Sequence, residues 1–473
     1  MPSGSNRLRF IPALYPAAVP LVTMGSNPGA CIYRLSCLLL ILAMLLLSAC
    51  ATYSERVNDV YLQLSQQQPA AALQALDKAK GPRRDRLAYL LNRAILLRMT
   101  QDYTASNAAL EQAKRLIDEY SPISISEQVG ALAVSETLTS YDGEPHEQVL
   151  VHLYAALNYL ELGQLDEARV EALQVNLLLQ TFADKHKNVY AEDPFADYLT
   201  AMIYEELGEW SDAMIAYRDA YKTYQRLAGP LGLSMPDYLK HDLLRLSQRM
   251  GLNDEYRQYQ EQFGDDSGLT FTELEQQGEL VFILHNGLAP TKEQRGSRAI
   301  DAASGRLVSI ALPVYISNYM HATRAEARID DRQLALADMT DIEAMARKTL
   351  EAEIPMLTAR AVARAVLKDN AVRRVEEDKG PMAGLIANIA AAATEVADTR
   401  SWWTLPHDIM MLRTPLPAGH YQLNIELYAN GILQDTLHFA DVAIRAGHKT
   451  FIERHWIKPG YMPQMTRGRN NGY

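Results

Sequence analysis

One residue spacing occurs twice in this chain and limits its fold more than any other feature. In the segment from Tyr198 to Ala220, Ala201 and Tyr204 precede Gly208, and Ala213, Tyr217 and Ala220 follow it. In the segment from Tyr154 to Asn176, Ala156, Tyr159, Gly163, Ala168 and Ala172 hold the same relative places. Each segment predicts two helices joined by a tight turn. Small Ala side chains at the crossing points let the helices approach closely, and Tyr fills the space between hairpins. Gly permits the positive φ that ends the first helix. Asp166-Glu167 and Ser211-Asp212 then place acceptors and negative charge at the start of the second helix, against its positive dipole end. Arg86 to Ile117 has a similar apolar period with Gln101 at the turn, and the stretch from Pro69 reads as a terminal half-repeat.

These motifs resemble the tetratricopeptide repeat, although Gly163 and Gly208 stand 45 residues apart instead of the usual 34. The extra length predicts a long second helix reaching Phe182 and an inserted loop. The resemblance implies a helical-hairpin solenoid over residues 50–265 that presents a groove to a protein or peptide partner. A plain helical bundle is the competing architecture.

The first fifty residues read as an address. They hold Arg7, Arg9 and Arg34, no acidic residue, and all three cysteines: Cys31, Cys37 and Cys50. Leu35 to Leu47 is an apolar run of thirteen residues, about 20 Å of helix, too short to span a bilayer. A basic residue, a short apolar run and small residues make a secretory signal over residues 1–49, with Met24 a candidate true start. Leu47-Ser48-Ala49-Cys50 resembles the lipobox of bacterial lipoproteins. That resemblance implies cleavage before Cys50, acylation of Cys50, and a palmitate-bearing anchor in the outer membrane facing the periplasm. Ala at position 51, where Asp would retain the protein, implies the sorting step. A chain cut there keeps no other cysteine, so neither thiol catalysis nor a disulfide framework is available to it.

Charge excludes further classes. Residues 50–473 carry 43 Lys+Arg against 57 Asp+Glu, which argues against a nucleic-acid partner and against broad electrostatic attachment to anionic lipid.

Beyond about residue 265 the helical period breaks. Residues 266–345 read as mixed strand and loop, with apolar runs at Glu279–Leu284 and Leu307–Ile316 predicting buried strands. Residues 346–400 read as a helical pair. Its second member begins at Pro381, is rich in alanine, is too short to span a membrane, and is expected to pack small residues inward. Residues 401–460 alternate for strands, with Asn430-Gly431 a hairpin turn. Their pattern resembles small prealbumin-like sandwich modules of exported proteins, and 461–473 read as a disordered tail. The expected fold is therefore mainly α: a tetratricopeptide-like solenoid, then an α+β region ending in a small β-sandwich-like module.

Catalytic and metal motifs are missing. His146 and His152 are six apart, about 240° around a helix, where a zinc helix needs four. The segment around Lys292 has one glycine and a proline, unlike a phosphate loop, and Gly264 to Gly268 does not form a nucleophile elbow. No cofactor or metal is implied. The remaining candidate recognition patch is Asp398, Arg400, Trp402 and Trp403, where Arg could read a carboxylate or stack on an indole. The competing reading is a joint between helix and sheet.

Three segments, Tyr141-Asp-Gly-Glu144, Gly287 to Lys292 and Ala397 to Pro406, resemble recurring stretches of an uncharacterised Gram-negative lipoprotein family. That family stands near the lipoprotein activators of penicillin-binding proteins, which implies a place in envelope biogenesis. The function expected is a lipid-anchored periplasmic scaffold or adaptor, not an enzyme. The alternatives are an envelope polymer-processing enzyme and a subunit of a secretion or polysaccharide-export complex.

Overall fold

A computed structural model describes residues 57–120, 139–186, 193–264, 270–300, 307–393 and 396–460. Residues 1–49, Cys50 and the tail 461–473 lie outside these ranges.

Ten helices form five successive hairpins: α1 (Asn58–Ser65) with α2 (Pro69–Lys78), α3 (Arg86–Met99) with α4 (Tyr103–Tyr120), α5 (Pro145–Glu161) with α6 (Leu165–His186), α7 (Pro194–Glu206) with α8 (Trp210–Leu231), and α9 (Asp237–Arg249) with α10 (Asn253–Phe263). Each turn closes in the same way. One residue takes a positive φ: Gln67, Gln101, Gly163, Gly208 and Gly251 in order. The next amide then reaches back five residues to a carbonyl, as Gln164 to Tyr159 at 2.8 Å and Glu209 to Tyr204 at 2.9 Å. This is the helix-ending bond that satisfies a carbonyl the helix itself leaves open. Ala156, Ala168, Ala172, Ala201, Ala213, Ala220, Tyr204 and Tyr217 are all buried, and Tyr159 is partly buried against the same core.

After a short helix α11 (Phe271–Gln276), six strands follow: β1 (Gln277–Asn286), β2 (Thr291–Ile300), β3 (Leu307–Ile316), β4 (Arg324–Ile329), β5 (Arg332–Ala335) and β6 (Ala337–Asp341). Then come α12 (Ile342–Lys379) and α13 (Pro381–Ala393), and finally β7 (Asp408–Pro417), β8 (Gly419–Ala429), β9 (Ile432–Ile444) and β10 (Lys449–Trp456). The strands form a first sheet ordered β10-β1-β7-β6, a second ordered β5-β4-β8-β9, and a β2-β3 ribbon.

The expected separate module at 401–460 is corrected by this order. β7 lies between β1 and β6, β8 pairs with β4, and β10 runs parallel to β1 from Glu279↔Lys449 to Asn286↔Trp456. Segments 266–345 and 401–460 therefore build their sheets jointly. Local alternation identifies a half-buried strand, but it carries no information about a partner more than a hundred residues away.

β1 is buried on both faces, which explains its unbroken apolar run. Leu280, Phe282 and Leu284 pack with Ala325, Ala327, Ile329, Leu423, Ile425 and Leu427 of the second sheet. Val281 and Ile283 share a core with the helical hairpins. The layers are helices, first sheet, second sheet. At its start α12 packs on the ribbon through Ala346, Leu350 and Tyr315.

Candidate functional site: the joint between helices and sheet

The three segments that carry the family resemblance meet at one place. Gly143, at φ +82°, turns the chain into α5, and Glu144 and Glu147 form the capping box at its start. The Glu147 carboxylate accepts from the Glu144 amide at 3.2 Å, the Tyr141 hydroxyl at 2.5 Å and the Trp402 amide at 2.7 Å. Burial, reinforced by the nearby Glu144 charge, pushes the Glu147 carboxyl up to about 7. Lys292 donates to Glu144 and sits 5.5 Å from the centre of the Tyr315 ring. Burial opposes charge on Lys292, but Glu144, Tyr315 and Asp398 outweigh it and hold the ammonium well above its ordinary value.

Arg400 ties the sheet side to two separated stretches of the helical side. Its guanidinium grips Asp398 (Nε to Oδ1, 2.9 Å) and donates to the carbonyls of Arg84 at 3.1 Å and Thr139 at 2.9 Å. Asp85 lies 3.5 Å away. Burial raises the Asp398 carboxyl, yet the adjacent Arg400 charge prevails and leaves it below the usual carboxylate range. Trp403 stacks on Tyr61 at 4.1 Å, and Trp402 packs against Tyr154 at 5.7 Å. Asn92, buried in α3, accepts from the Thr404 amide at 3.0 Å and donates to the Ser401 carbonyl at 3.1 Å, as a neighbouring strand would. Ala289 donates to the Leu405 carbonyl at 2.6 Å.

Arg400, Trp402 and Trp403 are buried and Asp398 is mostly so. The four residues expected as a recognition patch are therefore a joint. The Arg400 guanidinium and both indole rings are packed against the chain's own helical side, with the Trp402 and Trp403 Nε1 groups buried and without an acceptor, so the four offer no open surface to a ligand.

Two further polar clusters cross the same interface. In the first, Arg98 of α3 bonds Asn158 and Glu453, and His285 lies 3.0 Å from Glu453 and 3.2 Å from the Tyr154 hydroxyl. Glu161 accepts from the Glu453 amide at 3.0 Å, and burial followed by the Glu453 charge pushes its carboxyl up to about 7. Burial drives His455 down to about 3 and holds His285 well below its ordinary value. This carboxylate pair is the place to look for polymer hydrolysis. The cavity beside it measures about 30 Å³, room for a water and not for a sugar.

In the second cluster, Arg413 grips Glu279 at 2.7 and 2.9 Å and Asp242 at 2.5 Å, and Arg245 lies 2.7 Å from Glu205. Burial disfavours charge on Glu205 and Glu279, but the surrounding cations prevail and keep both carboxyls ionised. A cleft of about 330 Å³ opens beside them, lined partly by Trp210, Phe271 and Lys449. None of the clusters joins a nucleophile to a free base. Among the described residues no group of three His, Cys, Asp or Glu is arranged to hold a metal ion.

These clusters place α3, α5, α7 and α9 against the first sheet. The inward sides of these helices are covered by the chain's own strands. The array's open faces lie elsewhere. On α6, Val170, Leu173 and Leu177 are about half exposed at a spacing of three and four, one aliphatic stripe along the helix.

Sequence reasoning reached the three converging segments through resemblance alone. It missed Asn92, Arg98 and Arg413, for which an uncompensated polar residue within an apolar helical or strand pattern was the available signal.

No family model and no curated protein matches the chain. Among solved structures, the Rap conjugation gene regulator of the plasmid pLS20 in complex with the Phr* peptide matches at 12% identity and a TM-score of 0.27, over 44% of this chain and 51% of that one. A Rap protein complexed with competence and sporulation factor matches at 13% identity and a TM-score of 0.28, over 46% and 53%. The chain thus spans about half the length of the structures it matches.

Proposed function

We propose that this chain is a lipid-anchored, non-catalytic docking protein of the cell envelope. It is tethered through Cys50 on the periplasmic side of the outer membrane and binds a protein or peptide partner on the outer helices of its array. The observation that carries the docking surface is the stripe Val170, Leu173 and Leu177 on α6, three aliphatic side chains left in water on one helix face. A partner helix laid against such a face meets anchors at the spacing helix-in-groove recognition uses. The lipobox supports the anchor. The polar clusters support the absence of catalysis, because their cations and carboxylates are committed to one another across an interface.

Photo-crosslinking from position 173 in intact cells tests the docking face. One reproducible partner is expected, lost when Leu173→Glu and Leu177→Glu are combined in a chain that keeps its melting temperature. A partner recovered equally with the double variant would overturn it. Palmitate labelling, with Cys50→Ser as the control, tests the anchor.

A further inference from the structure

The second outward apolar face belongs to α13. Its small residues Ala383, Gly384, Ala387 and Ala391 turn toward α12, and Gly384 is buried where an added Cβ would stand 2.7 Å from the Glu376 Cβ. Its large residues point the other way. Met382, Leu385, Ile386 and Ile389 are 71, 53, 64 and 61% exposed. α13 has no charged residue, and an apolar face of this kind in water marks a contact site.

We propose that this face lies on a lipid bilayer, a reading that rests on the anchor at Cys50 and deepens it. Tether length is the first argument. Seven residue steps separate Cys50 from Val57, so the first residue of the folded body can lie no more than about 24 Å from the anchored lipid. Position is the second. Tyr61 of α1 stacks on Trp403, and four residues further on the His407 carbonyl accepts from the Glu343 amide in the first turn of α12. The tethered helix and the root of α12 therefore share one end of the first sheet. From there α12 runs 38 residues, about 57 Å, and α13 returns along its far part. A body lying with α12 along the membrane plane sets α13 on the surface while α1 stays at the tether.

Charge is the third. Residues 50–473 hold 14 more acidic than basic residues, but residues 342–393 hold eight basic against seven acidic. On α12, Arg364 is buried and Arg373 pairs with Asp369, while Arg374 and Lys379 share the exposed surface with Glu376, Glu377 and Asp378, so the helix pair is close to neutral within an acidic body. An uncharged apolar helix face on a near-neutral helix pair meets anionic headgroups with less repulsion than the acidic remainder of the body would. A second copy of this chain would bring the excess acid of both bodies together instead.

The test uses the mature acylated protein reconstituted in phosphatidylethanolamine–phosphatidylglycerol vesicles (3:1). Ile386→Cys carries an environment-sensitive fluorophore, and Ile432→Cys, at the exposed start of β9, serves as the control. A blue shift and several-fold stronger quenching by spin-labelled lipid are expected at position 386 and not at 432. Equal, water-like emission at both positions would overturn the proposal. So would a shift at 386 that occurs without vesicles and accompanies copy-to-copy crosslinks, since that assigns the face to self-association. Palmitate at Cys50 is measured in the same preparation. Acylation with no shift removes the membrane face and keeps the anchor. A shift without acylation, using vesicles added to the soluble chain, removes the anchor and keeps the face.

Discussion

Gln67 and Gln101 do with a side chain what Gly163, Gly208 and Gly251 do without one. All five hold a positive φ at a hairpin turn, where a Cβ costs about 1 kcal/mol or more and glycine pays only backbone entropy. Gln101→Gly should therefore raise the free energy of unfolding by about 0.5 kcal/mol, and Gly208→Ala should lower it by about 1 kcal/mol, both read from urea midpoints at unchanged slope. Glu147 predicts a pH effect. Its folded carboxyl titrates near 7 because it is buried beside Glu144, above an unfolded value near 4.5. The stability this contributes is fully present below about pH 4.5 and lost as pH rises through about 7. Glu147→Gln should shrink the difference in unfolding free energy between pH 5 and pH 8 by about 2–3 kcal/mol. The turn glycines and crossing alanines were legible because their partners lie within a hairpin. The partners of Asn92 and Arg400 were not, because Asn92 meets Ser401 and Arg400 meets Arg84 across more than 300 residues.

α12 and α13 show how an element can be legible in its inward face alone. The alanine content of α13 predicts close packing on α12, and Ala383, Gly384 and Ala387 take that side. The same pattern leaves Leu385, Ile386 and Ile389 facing outward, which composition does not reveal. Gly384→Val would place new atoms against Glu376 and should separate the pair, at about 1–3 kcal/mol. Hydrogen exchange should show the α13 amides losing protection while those of β1 keep theirs. Among the strands, β1, β3, β8, β9 and β10 were legible as apolar or alternating runs. β2 was not, because its sequence from Thr291 to Arg298 is polar and charged.

In the whole molecule the helical array and the first sheet share one core, in which Leu150, Phe195 and Met202 stand with Val281, Ile409 and Met411. Calorimetry of the described body should accordingly give one cooperative transition across residues 57–460 and not separate helical and sheet transitions. Arg413→Leu should cost about 3–5 kcal/mol by leaving Glu279 and Asp242 without their shared cation, and it should lower that single transition without splitting it. The boundary near residue 265 was legible as a change of period. The cooperation across it was not, since it depends on which helix faces meet which strand faces.

The parallel pairing of β1 with β10 also fixes an order of events. A chain produced from its N-terminus completes β1 about 160 residues before β10 begins, roughly 10–30 s at ordinary synthesis rates. Through that interval one edge of β1 has no neighbour, and the strand that will close it does not yet exist. Any route that delivers this polypeptide to its destination must keep the nascent edge covered until the final strand arrives.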